Sequence, residues 1–237
     1  MNTEQNQKEK EFTSELRKLN KQRKDEDPIF KQAVKEADKE LSPMDPPEAY
    51  GNEALSALTD FEGMPDGLKV WVDEHKEVVE KVEAFERALI TFRESGFAFT
   101  KEVSDEFNEF FTYFDAEILP HNRKEERHLF GLLHERLIAS GEHGPGDEPS
   151  TAVDLMEDDH VKFIQLGSLV FNMLGLASRL PDTQSRAITY DLACHSGIEL
   201  VELLKLHIFR EDNIVFPLAQ KLLDEQELHA LKQVLAH

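Results

Sequence analysis

The stretch His121-Asn122-Arg123-Lys124-Glu125-Glu126-Arg127-His128-Leu129-Phe130 decides how this chain is read, because it returns as His207-Ile208-Phe209-Arg210-Glu211-Asp212-Asn213-Ile214-Val215-Phe216. Both stretches follow His-x3-Glu-[Glu/Asp]-x3-Phe in register. Each also has a histidine upstream: His75 lies 46 positions before His121, and His160 lies 47 positions before His207. A unit of one histidine followed by His-x3-Glu has therefore been repeated, which reads as the duplication of a helical hairpin.

Residues four apart on a helix share a face, so His121 with Glu125, and His207 with Glu211, point together toward a bundle axis. Four helices then bring the imidazoles of His75, His121, His160 and His207 and the carboxylates of Glu125 and Glu211 to one interior point. Such a set is costly to bury without compensation, and a metal centre compensates it. Mixed imidazole and carboxylate ligation suits iron, manganese or zinc, and carboxylates arriving from opposite helices can each bridge two ions. Two metals, each with two histidines and shared glutamate bridges, is the simplest count.

Working outward, apolar residues at helical spacing fill residues 66–237, broken by Ser95 with Gly96, the Gly141 to Pro149 region and Pro181 with Asp182. Four long helices are expected. The first, about 66–94, places Leu68, Trp71, His75, Val78, Val82, Phe85, Leu89 and Phe92 on one stripe. The second, about 100–139, opens at Thr100 and is kinked or divided by Pro120. The third, about 150–180, is capped by Ser150, with Gly167 and Gly175 allowing a neighbour close. The fourth, about 183–216, ends before Pro217, and a short helix after Asp224 has a capping box with Glu227. The expected class is all-α, an antiparallel four-helix bundle with a short C-terminal helix. Residues 1–65 are a charged N-terminal extension and linker, with a sparse apolar stripe at Phe30, Ala33, Val34 and Ala37 that suits a polar helix and a protein partner.

Charge narrows the function classes. The 237 residues carry 27 Lys and Arg against 48 Asp and Glu, a net charge of −21 that repels phosphate backbones and anionic membrane surfaces. Neither nucleic acid nor membrane is an expected partner, and the apolar stretch at 163–177 reads as too short to span a bilayer. Cys194 alone cannot form an internal disulfide, a four-cysteine zinc site or a thiolate-held cluster, and a cytoplasmic location is expected.

At His75, His121-x3-Glu125-Glu126, Glu157-Asp158-Asp159-His160 and His207-x3-Glu211-Asp212 with Phe216-Pro217, the chain resembles the hemerythrin-like proteins, also described as the HHE cation-binding domain, over roughly residues 66–220. That resemblance implies a non-haem diiron centre, oxo- or hydroxo-bridged, able to bind dioxygen, nitric oxide or peroxide for storage, sensing or detoxification. It implies His75 and His121 on one iron, His160 and His207 on the other, and Glu125 and Glu211 bridging. An oxidase acting on an organic substrate and an iron-stabilised interaction module are the alternatives.

Two departures from the oxygen carriers stand out. Carriers have a second histidine four residues after the third-helix histidine, where this chain has Ile164, expected on the same face as His160. Carriers also take their last carboxylate at the position of Asp212, whereas Glu211 matches Glu125 in the repeat and is preferred here. His128, three residues after Glu125, is a candidate further ligand or an outer donor, and Glu117 a candidate orienting carboxylate. His134, His143, His195, His229 and His237 lack repeat partners and read as surface or structural residues, Cys194 reads as core, and the Glu157 to Asp159 run reads as a solvated face.

Overall fold

The structure is a computed structural model that describes residues 63–144 and 149–235. Apart from residues 63–65, the N-terminal extension falls outside the described residues, as does His237. Helix α1 spans Asp66–Glu94. A helical rod follows, made of α2 (Lys101–Tyr113), α3 (Leu119–Glu125) and α4 (Gly131–Ser140), joined without a break by the π-helical turns Phe114–Ile118 and Glu126–Phe130. Then come α5 (Ala152–Ala177) and a second rod of α6 (Thr183–Arg210), the π-helical turn Glu211–Val215 and α7 (Phe216–Leu222). Helix α8 (Glu225–Leu235) closes the chain and packs on α1, where Lys232 pairs with Asp66 at 2.6 Å. No strand occurs among the described residues, and the fold is an all-α helical bundle.

Side-chain pairing shows how the helices run. Phe92 meets Phe107, Phe85 stacks on Phe110 with ring centroids 3.8 Å apart, and His75 meets His121. Numbers that fall on α1 while rising on the rod mean opposite directions. Helices α5 and α6 likewise join at 178–182 and meet again at His160 and His207. The stripe expected on α1 is buried from Leu68 to Phe92, so the 3.6-residue period of the sequence does mark the core-facing side. The core between these helices is rich in aromatic rings, each fully buried phenylalanine contributing about 1.5–3 kcal/mol. Phe209 departs from that pattern and is exposed, as are Phe99 and Phe171.

Local chemistry explains the helix ends. Thr100 accepts from the Val103 amide, and Asp182 accepts from the Ser185 amide at 2.7 Å. Helix α5 starts one residue later than expected, because Thr151 forms a capping box with Asp154. Gly141, at φ 84°, ends the first rod in the left-handed conformation. The expected capping box at Asp224 and Glu227 is present, each accepting from the other's amide. Met64 is buried and the Gly63 carbonyl accepts from Gln220, so packing begins slightly before residue 66.

The structure bears on both prolines, and of the kink or division expected at Pro120 it excludes the division. Pro120 does not divide the first rod, and Pro217 does not end the second, which continues helically to Leu222. Each proline sits in the first turn after a π-helical turn, where the regular i to i−4 ladder is already interrupted and a missing N–H removes little. The length expected for the apolar stretch is revised: α5 as a whole is long and apolar enough, by length and composition, to cross a bilayer. In the bundle it packs along α6 and carries Asp159 and His160 into the interior.

Candidate metal centre

Four histidines and two glutamates meet where α1, α3, α5 and the end of α6 converge. His75 comes from α1, His121 and Glu125 from one turn of α3, His160 from α5, and His207 from α6 with Glu211 opening the π-helical turn behind it. All six are buried. The imidazoles form two pairs: Nε2 of His75 and Nε2 of His121 are 3.1 Å apart, and the Nε2 atoms of His160 and His207 are also 3.1 Å apart. Both carboxylates lie between the pairs. Glu125 directs Oε1 to His121 Nε2 at 3.2 Å and Oε2 to His160 Nε2 at 3.7 Å. Glu211 directs Oε1 to His207 Nε2 at 3.2 Å and Oε2 to His75 Nε2 at 3.3 Å. Two four-donor groups result, His75, His121, Glu125 and Glu211, and Glu125, His160, His207 and Glu211, with the two glutamates common to both.

A second ring of carboxylates faces the outer nitrogens. His75 Nδ1 is 2.8 Å from Asp212, His121 Nδ1 2.7 Å from Glu74, and His160 Nδ1 2.8 Å from Glu126, while His207 Nδ1 lies 3.5 Å from Asp159. A carboxylate outside draws the N–H to Nδ1 and leaves the Nε2 lone pair facing inward, the tautomer a metal requires. Every one of these contacts joins two different helices, so the ring also sets how the helices rotate against one another. Phenylalanines close the remaining faces: Phe216 stacks on His75, Phe130 stacks on His160, and Phe163 meets His207 edge-on.

The donor set fits a metal on its own chemistry. Both oxygens of Glu125 and both oxygens of Glu211 are buried without a hydrogen-bond partner, a costly state that a cation between the histidine pairs would relieve. Charge in the metal-free centre tells the same story. Burial pulls the His75 imidazole down, but Asp212 and Glu211 outweigh it and hold it at about 9. His121 rises against its burial to about 10 through Glu125 and Glu74, and His207 to about 9 through Glu211 and Asp159. His160 moves the other way, because burial and the neighbouring His207 outweigh its carboxylates. Burial pushes the Glu211 carboxyl up, yet His207 and His75 overcome it and hold it well below the usual carboxylate range. Protons thus do part of the work for which a cation is suited.

The six residues expected from the sequence all lie in this cluster. Glu211, not Asp212, lies between the pairs, and Asp212 is the outer partner of His75. Ile164, one turn after His160, does not enter the centre: it is half exposed, and the position beside the centre on α5 is Phe163. His128 is half-buried and belongs to neither donor group, because the π-helical turn after Glu125 brings Leu129 inward instead. Glu117 is exposed, and the orienting carboxylate for His121 is Glu74. Asp159 is buried rather than solvated. The repeat held the signal for both, since an acidic residue immediately precedes His75 and His160 alike.

The other histidines are peripheral. His134 meets Thr151, His143 meets its neighbouring carbonyl, His195 meets Asp191, and His229 is exposed. Burial pushes the Cys194 thiol up to about 11, and Asp191 adds to the shift, which suits a core residue.

Comparison with curated proteins and with solved structures gives no match. A family model described as the hemerythrin HHE cation binding domain matches residues 66–219, which contain all six converging residues and the four outer carboxylates. With that match covering more than half of the chain, and a buried His and Glu cluster fit for a metal inside it, this protein belongs to the hemerythrin HHE cation-binding family.

Proposed function

We propose that this chain is a non-haem diiron protein that binds dioxygen, nitric oxide or peroxide as a sensor, store or detoxifying module. One observation carries the reading: each of Glu125 and Glu211 turns one oxygen to each histidine pair, the disposition of two bridging carboxylates. His75 and His121 would hold one iron, and His160 and His207 the other. Each position would draw on two histidines and both glutamates, four protein donors in all. When bound, iron supplies reversible redox chemistry and an open site for a small diatomic ligand. The protein's own part is to keep the Nε2 lone pairs of His75, His121 and His160 inward, through Asp212, Glu74 and Glu126, and to exclude water with Phe216, Phe130 and Phe163.

An oxidase with an organic substrate has less support. The apolar groove of about 810 Å³ lined by Phe99, Phe107, Phe111 and Phe171 includes no residue of the centre. Metal analysis of the purified protein, with optical spectra of the reduced form before and after exposure to oxygen and nitric oxide, tests the proposal. Two irons per chain and a spectrum that responds to either gas are expected. A chain that stays empty when ferrous iron is supplied would overturn it.

A further inference from the structure

The repeat makes the two halves of the centre similar, and the comparison exposes one difference. In the first half, Glu74 takes the Nδ1 proton of His121 at 2.7 Å, and Lys124, three residues after His121, lies 3.9 Å from Glu74. Both side chains are open to water, Glu74 at 36% and Lys124 at 47% exposure, so the lysine charge is well screened. In the second half the same positions are Asp159, His207 and Arg210. Asp159 is 1% exposed, and its Oδ2 lies 3.3 Å from Arg210 Nη1 but 3.5 Å from His207 Nδ1. The Arg210 side chain is 12% exposed, and Lys162 adds a second cation 3.7 Å from the other Asp159 oxygen.

Two consequences act in the same direction. An imidazole whose Nδ1 proton is held by a carboxylate is a more basic metal ligand, and His207 is the histidine with the longest outer contact, 3.5 Å from Asp159 and without a hydrogen bond. A guanidinium in a water-poor setting also keeps more of its field than an exposed ammonium, and that field opposes a second dication. The His75 and His121 pair, by contrast, has short contacts on both outer nitrogens, from Asp212 and Glu74.

Building on the two-metal reading above, we propose that the two positions are unequal. The position between His75 and His121 fills first and tightly, the position between His160 and His207 fills second, and Arg210 is the positioning residue that sets the gap by drawing Asp159 away from His207.

Anaerobic calorimetric titration of the metal-free full-length chain with ferrous iron tests this, with circular dichroism recording that each variant remains helical. Wild type should show two steps separated by about tenfold or more in affinity. Arg210→Gln should tighten the second step by about tenfold and leave the first in place, while Arg210→Lys, which keeps the charge, should restore the gap. Glu74→Gln should weaken the first step and leave the second in place, and this variant keeps the test open if Arg210→Gln does not fold. Two equal steps in wild type, or a folded Arg210→Gln with an unchanged gap, would overturn the proposal while leaving the two-metal reading intact. A wild-type chain that binds no iron would overturn that reading itself.

Discussion

Glu211 and Asp212 are adjacent carboxylates with opposite employments. One step along a helix turns the side chain by about 100°, so only one of two neighbours can face the interior. Glu211 is fully buried between His75 and His207, and Asp212 grips the outer nitrogen of His75 from the partly exposed side. Replacing each therefore has a distinct expected result. On the proposed two-metal reading, Glu211→Gln removes a charge shared by both histidine pairs and should leave at most one tightly held metal per chain. Asp212→Asn should retain both metals with affinity lowered about tenfold to hundredfold, since it disturbs only the orientation and basicity of His75. His128→Ala should change neither number. Elemental analysis after desalting, followed by chelator competition, separates these outcomes, and equal metal loss in the Glu211 and Asp212 variants would refute the assignment.

At the scale of elements, the ligand-bearing rods are not uniform α-helices. Wide turns follow Glu125 and begin at Glu211, at nearly matching places in the repeat, and each re-aims the residues after it, bringing Phe130 and Phe216 over His160 and His75. Glycines mark where helices approach, though not at every position expected. A Cβ at Gly167 would meet the Phe114 ring at 3.0 Å, and one at Gly197 would meet Leu89 Cδ1 at 2.7 Å, whereas one at Gly175 meets nothing within 4 Å. Gly197→Ala should therefore destabilise the bundle by about 1–3 kcal/mol through overpacking between α1 and α6. Gly175→Ala, on an open helical face, should stabilise it by up to about 1 kcal/mol. Thermal melts of the metal-free proteins decide this, and equal melting temperatures for the two variants would contradict the packing described here.

For the whole molecule, the centre links stability to pH. In the metal-free chain His75, His121 and His207 are raised from 6.5 to about 9, 10 and 9. Groups raised on folding stabilise fully below their unfolded value, and that contribution is lost as pH climbs through the folded values. Glu211, depressed on folding, contributes above 4.5 and loses its effect as pH falls. His160, also depressed, costs stability below 6.5 and so offsets part of the gain from the other three. The metal-free chain should accordingly melt several degrees lower at pH 9.5 than at pH 6.5, about 2–4 °C for each kcal/mol lost. Metal needs the neutral imidazoles, so binding releases protons and the stabilisation it adds should grow over the same window. Melting curves at the two pH values, with and without ferrous iron under anaerobic conditions, check both slopes. A metal-free chain that gains stability toward pH 9.5 would contradict the charge arrangement.

The amino-acid sequence by itself determined the helical class and the six converging residues, because both rest on local rules. The apolar stripe on α1 follows the helical period, His-x3-Glu follows the spacing of one helical turn, and duplication shows which histidines belong together. Tertiary structure decided how each helix is rotated about its own axis, which the packing of Phe85, Phe110, Phe163 and their neighbours sets between helices far apart in sequence. That rotation turns Ile164 outward and Phe163 inward, and sends Glu74 to His121 rather than to its neighbour His75. The wide turns likewise carry the second rod past Pro217 and leave His128 outside the centre, since interhelix packing selects them where a regular helical period offers no sign. Asp159, finally, has the composition of a solvated helix face and becomes a buried partner of Arg210 only because α5 and α6 close over it.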